Sequence, residues 1–233
     1  MKVGIMQPYW FPYIGYFQLI NAVDVFVVYD NIEYTKKGWI NRNRILLHSE
    51  AAPVTVPLKK DSDFLHVDQR FLSENYAKDK VKLLSKIKEA YKKAPQFSTV
   101  FPLIESILNQ NETNLFRLIH HSIQAVCDYL EIKTKIVISS TIDIDHNLKS
   151  QDKVIAIAKI LEATQYINAI GGLQLYDKAT FEANDLQLHF IKSNPIEYPQ
   201  FDNDFIPWLS VIDVMMFNSK QEIRGFLTDV TLL

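Results

Sequence analysis

Five short runs of apolar, often β-branched residues constrain the fold of this chain more than any other feature of its sequence. Their length and composition are typical of strands that are buried on both faces of a parallel sheet. Helical patterns follow most of them, as the crossover connections between parallel strands require. We therefore predict an α/β fold with a doubly wound parallel sheet of about five strands. The runs are Lys2–Met6, Val25–Tyr29, Lys135–Ser139, Gln165–Asn168 and Gln187–Ile191.

A stretch of different character separates the second strand from the third. Residues 1–48 and 133–233 are predicted to form the sheet core of one domain spanning residues 1–233, and residues 49–132 a largely helical insert. Within the insert, "RILLHSEAAPVTVPLKK" and "FLHVDQRFL" indicate one or two extra strands, and three amphipathic segments indicate helices, the last with an Asn or Thr cap. The C-terminal segment predicts two closing helices, the second capped by Asn218 or Ser219.

The composition argues against several classes of protein. A net charge of -2 disfavours a dedicated nucleic-acid binder, because neutralising phosphates takes a basic domain. No apolar run reaches the roughly 18 residues of a membrane span, and "MKVGIMQPYW" lacks the apolar core of a signal peptide. We therefore expect a cytoplasmic protein without membrane insertion. The single cysteine, Cys127, falls among apolar neighbours and is predicted to be a buried structural residue.

Polar and aromatic segments follow each of the five predicted strands. They are "QPYWFPYIGYF", "DNIEYTKKGWINRNR", "SSTIDIDHN", "NAIGGLQLYD" and "KSNPIEYPQFDNDFIPW". The carboxyl ends of parallel strands meet at one edge of a sheet, where ligands bind in open α/β folds. A shared ligand pocket is therefore expected at this edge. The alternative is that these loops are polar only because loops generally are.

The segment after the second strand carries the most charge. Cationic side chains suit a phosphate or carboxylate, and aromatic rings suit a base or sugar face, so a nucleotide-linked ligand would use both. The alternative is a solvated loop whose Trp folds back on the core. Asp30, at the end of the strand, is the candidate general base. The predicted ligand-binding residues here are Tyr34, Lys37, Trp39, Asn41, Arg42 and Arg44.

Two consecutive glycines, Gly171 and Gly172, stand between a predicted strand and a helix. They let backbone amides approach an anion, although a tight turn needing positive φ explains the pair too. The glycines of this chain cannot form a dinucleotide fingerprint or a Walker-type phosphate loop, which leaves the cofactor unidentified. The segment "DIDHN" offers carboxylates and His146 to a metal, but a plain polar loop is the simpler interpretation and we predict no metal site.

The segment around Gly15 resembles the first motif of the adenylyl-transferring nucleotidyltransferase superfamily. In that motif a His-x-Gly-His tetrad follows the first strand, and here the tetrad is Tyr13-Ile14-Gly15-Tyr16. The resemblance implies a Rossmann-like or HUP-like sheet, with Gly15 close to phosphates. A phenol stays neutral at pH 7, so the tyrosines can donate hydrogen bonds but supply no positive charge. "ISSTID" resembles the superfamily's later Ile-Ser-Ser-Thr-x-x-Arg signature, which places Ser139 and Ser140 among the ligand-binding residues.

Three longer segments resemble the WbqC-like family, a bacterial group often associated with O-antigen and other surface-polysaccharide gene clusters. They are "GIMQPYWFPYIGYFQLINAVDVFVVYDNIEYTKKGWINRNRI", "YINAIGGLQLYDKATF" and "IDVMMFNSKQEI". The resemblance implies an enzyme acting on a nucleotide-linked amino sugar, with N-acyl or aminoacyl transfer as a reaction that has been considered.

In that interpretation the strand-end residues contact the sugar or acyl groups. Gln7, Tyr13 and Tyr16 would form hydrogen bonds to the ligand, with both tyrosines placed in the catalytic set and Pro8 beside them. Two alternatives stay open. One is an ATP-dependent enzyme that activates a carboxylate, and the other is a non-catalytic assembly factor of a glycan pathway.

Overall fold

The computed structural model describes residues 1–233. A six-stranded sheet with the order β5-β2-β1-β6-β7-β8 forms the centre, and β3 and β4 form a separate antiparallel hairpin. All neighbouring pairs of the central sheet are parallel except β7 and β8, which are antiparallel. The strands are β1 (Lys2–Met6), β2 (Val25–Val28), β3 (Arg42–Leu47), β4 (Glu50–Thr55), β5 (Lys135–Ile138), β6 (Gln165–Ala169), β7 (Gln187–Ser193) and β8 (Val230–Leu232).

The predicted α/β fold with a mostly parallel sheet is confirmed, and the sheet has six strands where about five were predicted. All five predicted runs form parallel strands of the sheet. The sixth strand, β8, is only three residues long, and it is specified by its pairing with β7 rather than by a local pattern. The run predicted to end at Ser139 ends at Ile138, because residues 139–141 form a 3₁₀ turn.

Eight α-helices surround the sheet, and none of them is long and apolar enough to cross a membrane. Asn114 caps the helix that begins at Leu115 by accepting the Arg117 N–H, as predicted. Ser219 caps the last helix in a capping box with Glu222, so it fills the role for which Ser219 or Asn218 was expected. The helices are α1 (Ile14–Asn21), α2 (Tyr76–Tyr91), α3 (Phe97–Leu108), α4 (Leu115–Leu130), α5 (Ser150–Ile160), α6 (Lys178–Glu182), α7 (Val211–Phe217) and α8 (Lys220–Thr228).

The two faces of the sheet bury two separate apolar clusters. One cluster of 47 buried residues joins α1, α2, α3, α4, α7, α8 and the hairpin, and a cluster of 14 lies under α5 and α6. Strand β1 alternates between them, since Val3 and Ile5 belong to the smaller cluster while Gly4 lies against Leu19 and Phe26 of the larger one. Helices therefore cover both faces, as a doubly wound sheet requires.

The β3–β4 hairpin spans the position at which the sequence suggested a boundary between sheet core and insert. Its turn residues, His48 and Ser49, have φ of 52° and 63°, the geometry of a type I′ turn. The predicted strand "FLHVDQRFL" is instead a 3₁₀ turn at Val67–Gln69 flanked by isolated bridges. The hairpin and helices of the insert share the large core with α1, α7 and α8.

Candidate functional site

The segment between β1 and α1 is held by hydrogen bonds from two distant parts of the chain. The Phe11 carbonyl accepts from Asn43 Nδ2 at 2.6 Å and from Ser210 Oγ at 2.7 Å. The Val211 N–H donates to the Pro12 carbonyl at 2.8 Å. Phe11 itself has a φ of 42°, a strained conformation for an aromatic residue. The β1–α1 segment, β3 and the start of α7 are thereby fixed against one another.

A cleft of about 190 Å³ opens between these three segments. Both tryptophans of the cleft reach the surface: 42% of Trp39 and 63% of Trp208 are exposed. Trp208 also has a positive φ of 61°, so an exposed aromatic side chain is held on a strained backbone. Residues held in this way cluster at functional sites. We call this feature the aromatic cleft, and its lining residues are Tyr9, Pro12, Tyr13, Trp39, Asn43, Arg44 and Trp208.

The aromatic rings of the cleft meet edge to face. The Tyr13 and Trp208 ring centroids are 5.8 Å apart with an interplanar angle of 65°. Trp39 carries two guanidinium groups over its ring, Arg44 at 5.4 Å and Arg42 at 5.7 Å from the centroid. The cleft therefore has no preformed slot between parallel rings, and the exposed surface of Trp208 is its open aromatic platform.

Few polar groups of the cleft are free to bind a ligand. The Asn43 amide is committed to the backbone, because Nδ2 donates to Phe11 and Oδ1 accepts the Arg44 N–H at 2.9 Å. The Tyr9 hydroxyl donates to Gln7 Oε1 at 3.2 Å. Burial raises the pKa of both Tyr9 and Tyr13, so both phenols are neutral donors near pH 7. The Tyr13 hydroxyl and the Arg44 guanidinium remain the available donors.

Gly15 provides the space into which Tyr13 packs. A Cβ at position 15 would lie 2.3 Å from Tyr13 Cε2 and 2.7 Å from Ser193 Oγ. The absence of a side chain thus lets the Tyr13 ring lie against the first turn of α1, facing Trp208. The sequence suggested that Gly15 would let phosphates approach closely. In the structure the side chains of Tyr13 and Ser193 lie close to Gly15 instead.

Tyr16, Tyr34 and Asn41, three of the predicted site residues, lie in the core. Tyr16 is 1% exposed, and its hydroxyl donates to the Gln7 carbonyl at 3.0 Å. The Tyr34 hydroxyl donates to Asn41 Oδ1 at 2.8 Å, and Asn41 Nδ2 donates to the Val56 carbonyl at 2.8 Å. These side chains satisfy one another and the backbone, so in this structure they support the loops around the cleft.

Replacing Tyr16 by Phe is expected to lower the free energy of unfolding by about 1 kcal/mol, the usual value of one hydrogen bond. Ligand affinity should change by less than about twofold, because that hydroxyl faces the Gln7 carbonyl within the fold. Guanidinium denaturation and calorimetric titration measure the two effects. A large loss of affinity with unchanged stability would instead place Tyr16 at the ligand.

A second group of polar residues lies at the ends of β2 and β5, and we call it the Asp30 cluster. Asp30 is 3% exposed, and its Oδ1 accepts from Ser139 Oγ at 2.8 Å and from the Ser140 N–H at 2.9 Å. Its Oδ2 accepts no hydrogen bond from the protein. The cluster comprises Asp30, Asn31, Ser139, Ser140, His146 and Lys153.

Lys153 and His146 complete the Asp30 cluster. The Lys153 amine lies 3.4 Å from Asn31 Oδ1, and His146 Nδ1 lies 2.9 Å from Asn31 Nδ2. Burial lowers the pKa of Lys153, opposed by the charge of Asp30. Lys153 was not singled out from the sequence, since a lysine inside an amphipathic helix is normally solvated.

Of the remaining predicted residues, Gly171 and Gly172 lie in the turn after β6, and Arg42 begins β3 of the separate hairpin. Neither Gly171 nor Gly172 has positive φ, so the pair is not explained by a left-handed turn. A Cβ at Gly172 would lie 2.2 Å from Asn168 Nδ2, whereas Gly171 faces open space. Arg42 Nε donates to the Gly38 carbonyl at 2.8 Å, and its Nη2 donates to the Lys37 carbonyl.

The aromatic cleft therefore brings together only part of the predicted site. Of the predicted residues it includes Tyr13, Trp39 and Arg44, while exposed Lys37 and Gln7 and buried Pro8 are outside its lining. The residues missed were Tyr9, Pro12, Asn43 and Trp208. The sequence signal for Trp208 was its place in the final strand-end segment, "KSNPIEYPQFDNDFIPW", which contains several aromatic residues.

The fold and this cleft define an α/β protein with a mostly parallel sheet and an aromatic cleft built from strand-end loops. The chain belongs to the WbqC-like protein family, whose model matches residues 7–225, and the resemblance seen in the sequence is confirmed. It is 27% identical over 230 residues to a Mycobacterium tuberculosis (strain ATCC 25618 / H37Rv) protein described as uncharacterized protein Rv1507c, covering 97% of each chain. No solved structure matches it.

Proposed function

We propose that the protein is a cytoplasmic enzyme of bacterial surface-polysaccharide precursor biosynthesis that binds the sugar ring of a nucleotide-linked amino sugar in the aromatic cleft. The observation that carries this proposal is the cleft itself. The C–H face of a sugar ring is apolar and packs on an aromatic platform such as Trp208, while its hydroxyls need donors such as the Tyr13 hydroxyl.

The size of the cleft favours one ring rather than a whole nucleotide sugar. Sites for drug-sized ligands usually enclose about 300–1,000 Å³, whereas this cleft encloses about 190 Å³. The nucleotide would then lie outside the cleft, along the carboxyl edge of the sheet. Exposed Lys37, which makes no ion pair, is available there for the diphosphate.

The strand order supports a nucleotide-linked ligand. Numbered among themselves along the chain, the five parallel strands follow the order 3-2-1-4-5, with a switch point between β1 and β6. Rossmann-like sheets with this order bind nucleotides at the switch point. Gln7 directly follows β1, and Gly171 and Gly172 follow β6, so both predicted groups lie beside the switch point.

For the reaction we propose transfer of an acyl or aminoacyl group to the amine of the sugar. The amine nitrogen attacks the acyl carbonyl, a C–N bond forms, the bond to the donor's leaving group breaks, and one proton leaves the nitrogen. Asp30 is the proposed base because Ser139 and Ser140 occupy only its Oδ1 and leave Oδ2 free of protein donors.

Replacing Trp208 by Ala is expected to weaken binding of UDP-N-acetylglucosamine or a related nucleotide-linked amino sugar by about tenfold, as loss of an aromatic platform implies. Calorimetric titration measures this without relying on Trp fluorescence. Trp208→Phe should retain most of the affinity, and Phe64→Ala, which removes an exposed aromatic ring outside the cleft, should retain all of it. Equal affinity in wild type and Trp208→Ala would contradict the proposal.

The same strand order also favours a second function, an ATP-dependent enzyme that activates a carboxylate. It predicts magnesium-dependent exchange of labelled pyrophosphate into ATP in the presence of an acid. Exchange without any binding of nucleotide sugars would favour this second function over the first.

A further inference from the structure

Arg44 is the single charged residue in the lining of the aromatic cleft, and no carboxylate accompanies it there. It forms no salt bridge with any Asp or Glu of the chain. Its guanidinium makes one long hydrogen bond, 3.4 Å from Nη2 to the Trp208 carbonyl, and its Nε has no partner. A buried donor without a partner carries an energetic cost that a bound acceptor would remove.

The backbone on both sides of this guanidinium is fixed. The Arg44 N–H donates to Asn43 Oδ1 at 2.9 Å, and the Arg44 carbonyl accepts from the Ser210 N–H at 2.9 Å. The side chain lies over the Trp39 ring, 5.4 Å from its centroid. The guanidinium of its neighbour Arg42, in contrast, already donates to two loop carbonyls. The fold therefore holds Arg44 in place while leaving its charge for a ligand.

The sign of this charge decides what the cleft can hold. Aromatic cages that bind ammonium groups use rings without a cation among them, whereas here a guanidinium already occupies the face of Trp39. A positively charged group placed directly against the Arg44 guanidinium would be repelled, so the sugar amine of the proposed reaction does not face Arg44. Donors outnumber acceptors among the free groups, because the Asn43 oxygen is already occupied by the Arg44 N–H.

We infer that the group bound in the aromatic cleft carries or adjoins an oxyanion, and that Arg44 is the residue that selects it. This inference rests on the function proposed above. Two sources supply the same chemistry: a carboxylate on the sugar ring, as in a uronic acid, or the phosphate next to the ring. A guanidinium binds either through two parallel hydrogen bonds.

The test uses the full chain and calorimetric titration with two probes, UDP-N-acetylglucosamine and its C6 acid, UDP-N-acetylglucosaminuronic acid. Arg44→Met removes the charge but keeps an unbranched apolar side chain, and Arg44→Lys keeps the charge without the planar fork. Arg117→Met removes an exposed guanidinium on α4 as the matched control. Unfolding midpoints establish that each variant is folded.

For a ring carboxylate, wild type should bind the acid at least about tenfold more tightly than the neutral sugar, and Arg44→Met should abolish that preference. For a phosphate, the two probes should bind wild type alike, and Arg44→Met should weaken both by about tenfold or more. Arg44→Lys should fall between wild type and Arg44→Met in either case, and Arg117→Met should match wild type.

The outcomes separate this inference from the proposed function. If Trp208→Ala weakens binding and Arg44→Met changes neither probe, the selective role of Arg44 is wrong while the sugar site stands. If neither probe binds wild type, both are wrong. Tighter binding to Arg44→Met than to wild type would also overturn the inference.

Discussion

Replacing Asp213 by Ala is expected to lower the free energy of unfolding by about 3–5 kcal/mol, because three donors lose their acceptor and each unsatisfied buried donor costs about 1–3 kcal/mol. Asp213 is 0% exposed. Its two oxygens accept from the Tyr91 hydroxyl, the Tyr198 hydroxyl and Gln200 Nε2, each at 2.7 Å. Alanine would leave three buried donors without their acceptor and a cavity beside them.

The network around Asp213 also supports the aromatic cleft. The Tyr91 hydroxyl accepts the Leu46 N–H of β3 at 3.0 Å, and Gln200 Oε1 accepts the Ile206 N–H at 2.7 Å. Asp213 thus joins β3 to the segment that leads to Trp208. Asp213→Ala should therefore reduce ligand affinity as well as stability, even at temperatures where the variant remains folded.

Guanidinium denaturation measures the loss, with Asp213→Asn as the control. Asparagine keeps one acceptor oxygen and the volume of the side chain, so it should lose less than half as much stability as alanine. A loss below about 1 kcal/mol for Asp213→Ala would mean that the three donors find other acceptors. The network would then contribute little to the free energy of unfolding.

The stability should also depend on pH through Asp213. Burial raises its pKa above the ordinary value of 3.8, opposed by hydrogen bonds from Tyr91, Tyr198 and Gln200. Because the folded state holds this proton more tightly than the unfolded state, the contribution of the group is fully present below the unfolded pKa. It is lost as pH rises through the folded pKa. Between the unfolded and the folded pKa of Asp213, the unfolding free energy of wild type relative to that of Asp213→Asn should therefore fall as pH rises.

The parts of the fold that the sequence predicted are those with local signals. Each parallel strand is a short apolar run, and the caps at Asn114 and Ser219 are recognised from neighbouring residues alone. Strand β8 and the hairpin turn at His48 and Ser49 lack such signals. The turn has none of the Asn-Gly or Asp-Gly pairs that normally mark type I′ geometry.

The lining of the aromatic cleft was predicted less completely than the fold, because its residues are far apart in the chain. Tyr13 and Trp208 meet only after β3 and α7 have packed on the β1–α1 segment. Polar and aromatic residues in one loop also look alike in sequence whether they face a ligand or the backbone. Tyr34 and Asn41 were assigned to the ligand, but they form hydrogen bonds within the fold.

Replacing Gly15 by Ala is expected to reduce both stability and ligand binding, against the trend for a helical glycine. In the interior of a helix, alanine is normally more stable than glycine by about 0.5–1 kcal/mol. Here the added methyl group would lie 2.3 Å from Tyr13 Cε2, which forces the ring away from the helix and out of the cleft wall. Overpacking of this kind costs about 1–3 kcal/mol, and affinity should fall by about tenfold with the loss of the ring.

Gly225 in α8 is the matched control, because a Cβ there meets nothing within 4 Å. Gly225→Ala should gain about 0.5–1 kcal/mol and leave affinity unchanged. Combining Gly15→Ala with Tyr13→Ala removes the ring from the clash, so the double variant should be more stable than the sum of the single changes predicts. Additive losses would instead place the clash at Ser193 Oγ, 2.7 Å from the added carbon. The contact with Trp208, rather than the space at Gly15, would then hold the Tyr13 ring in position.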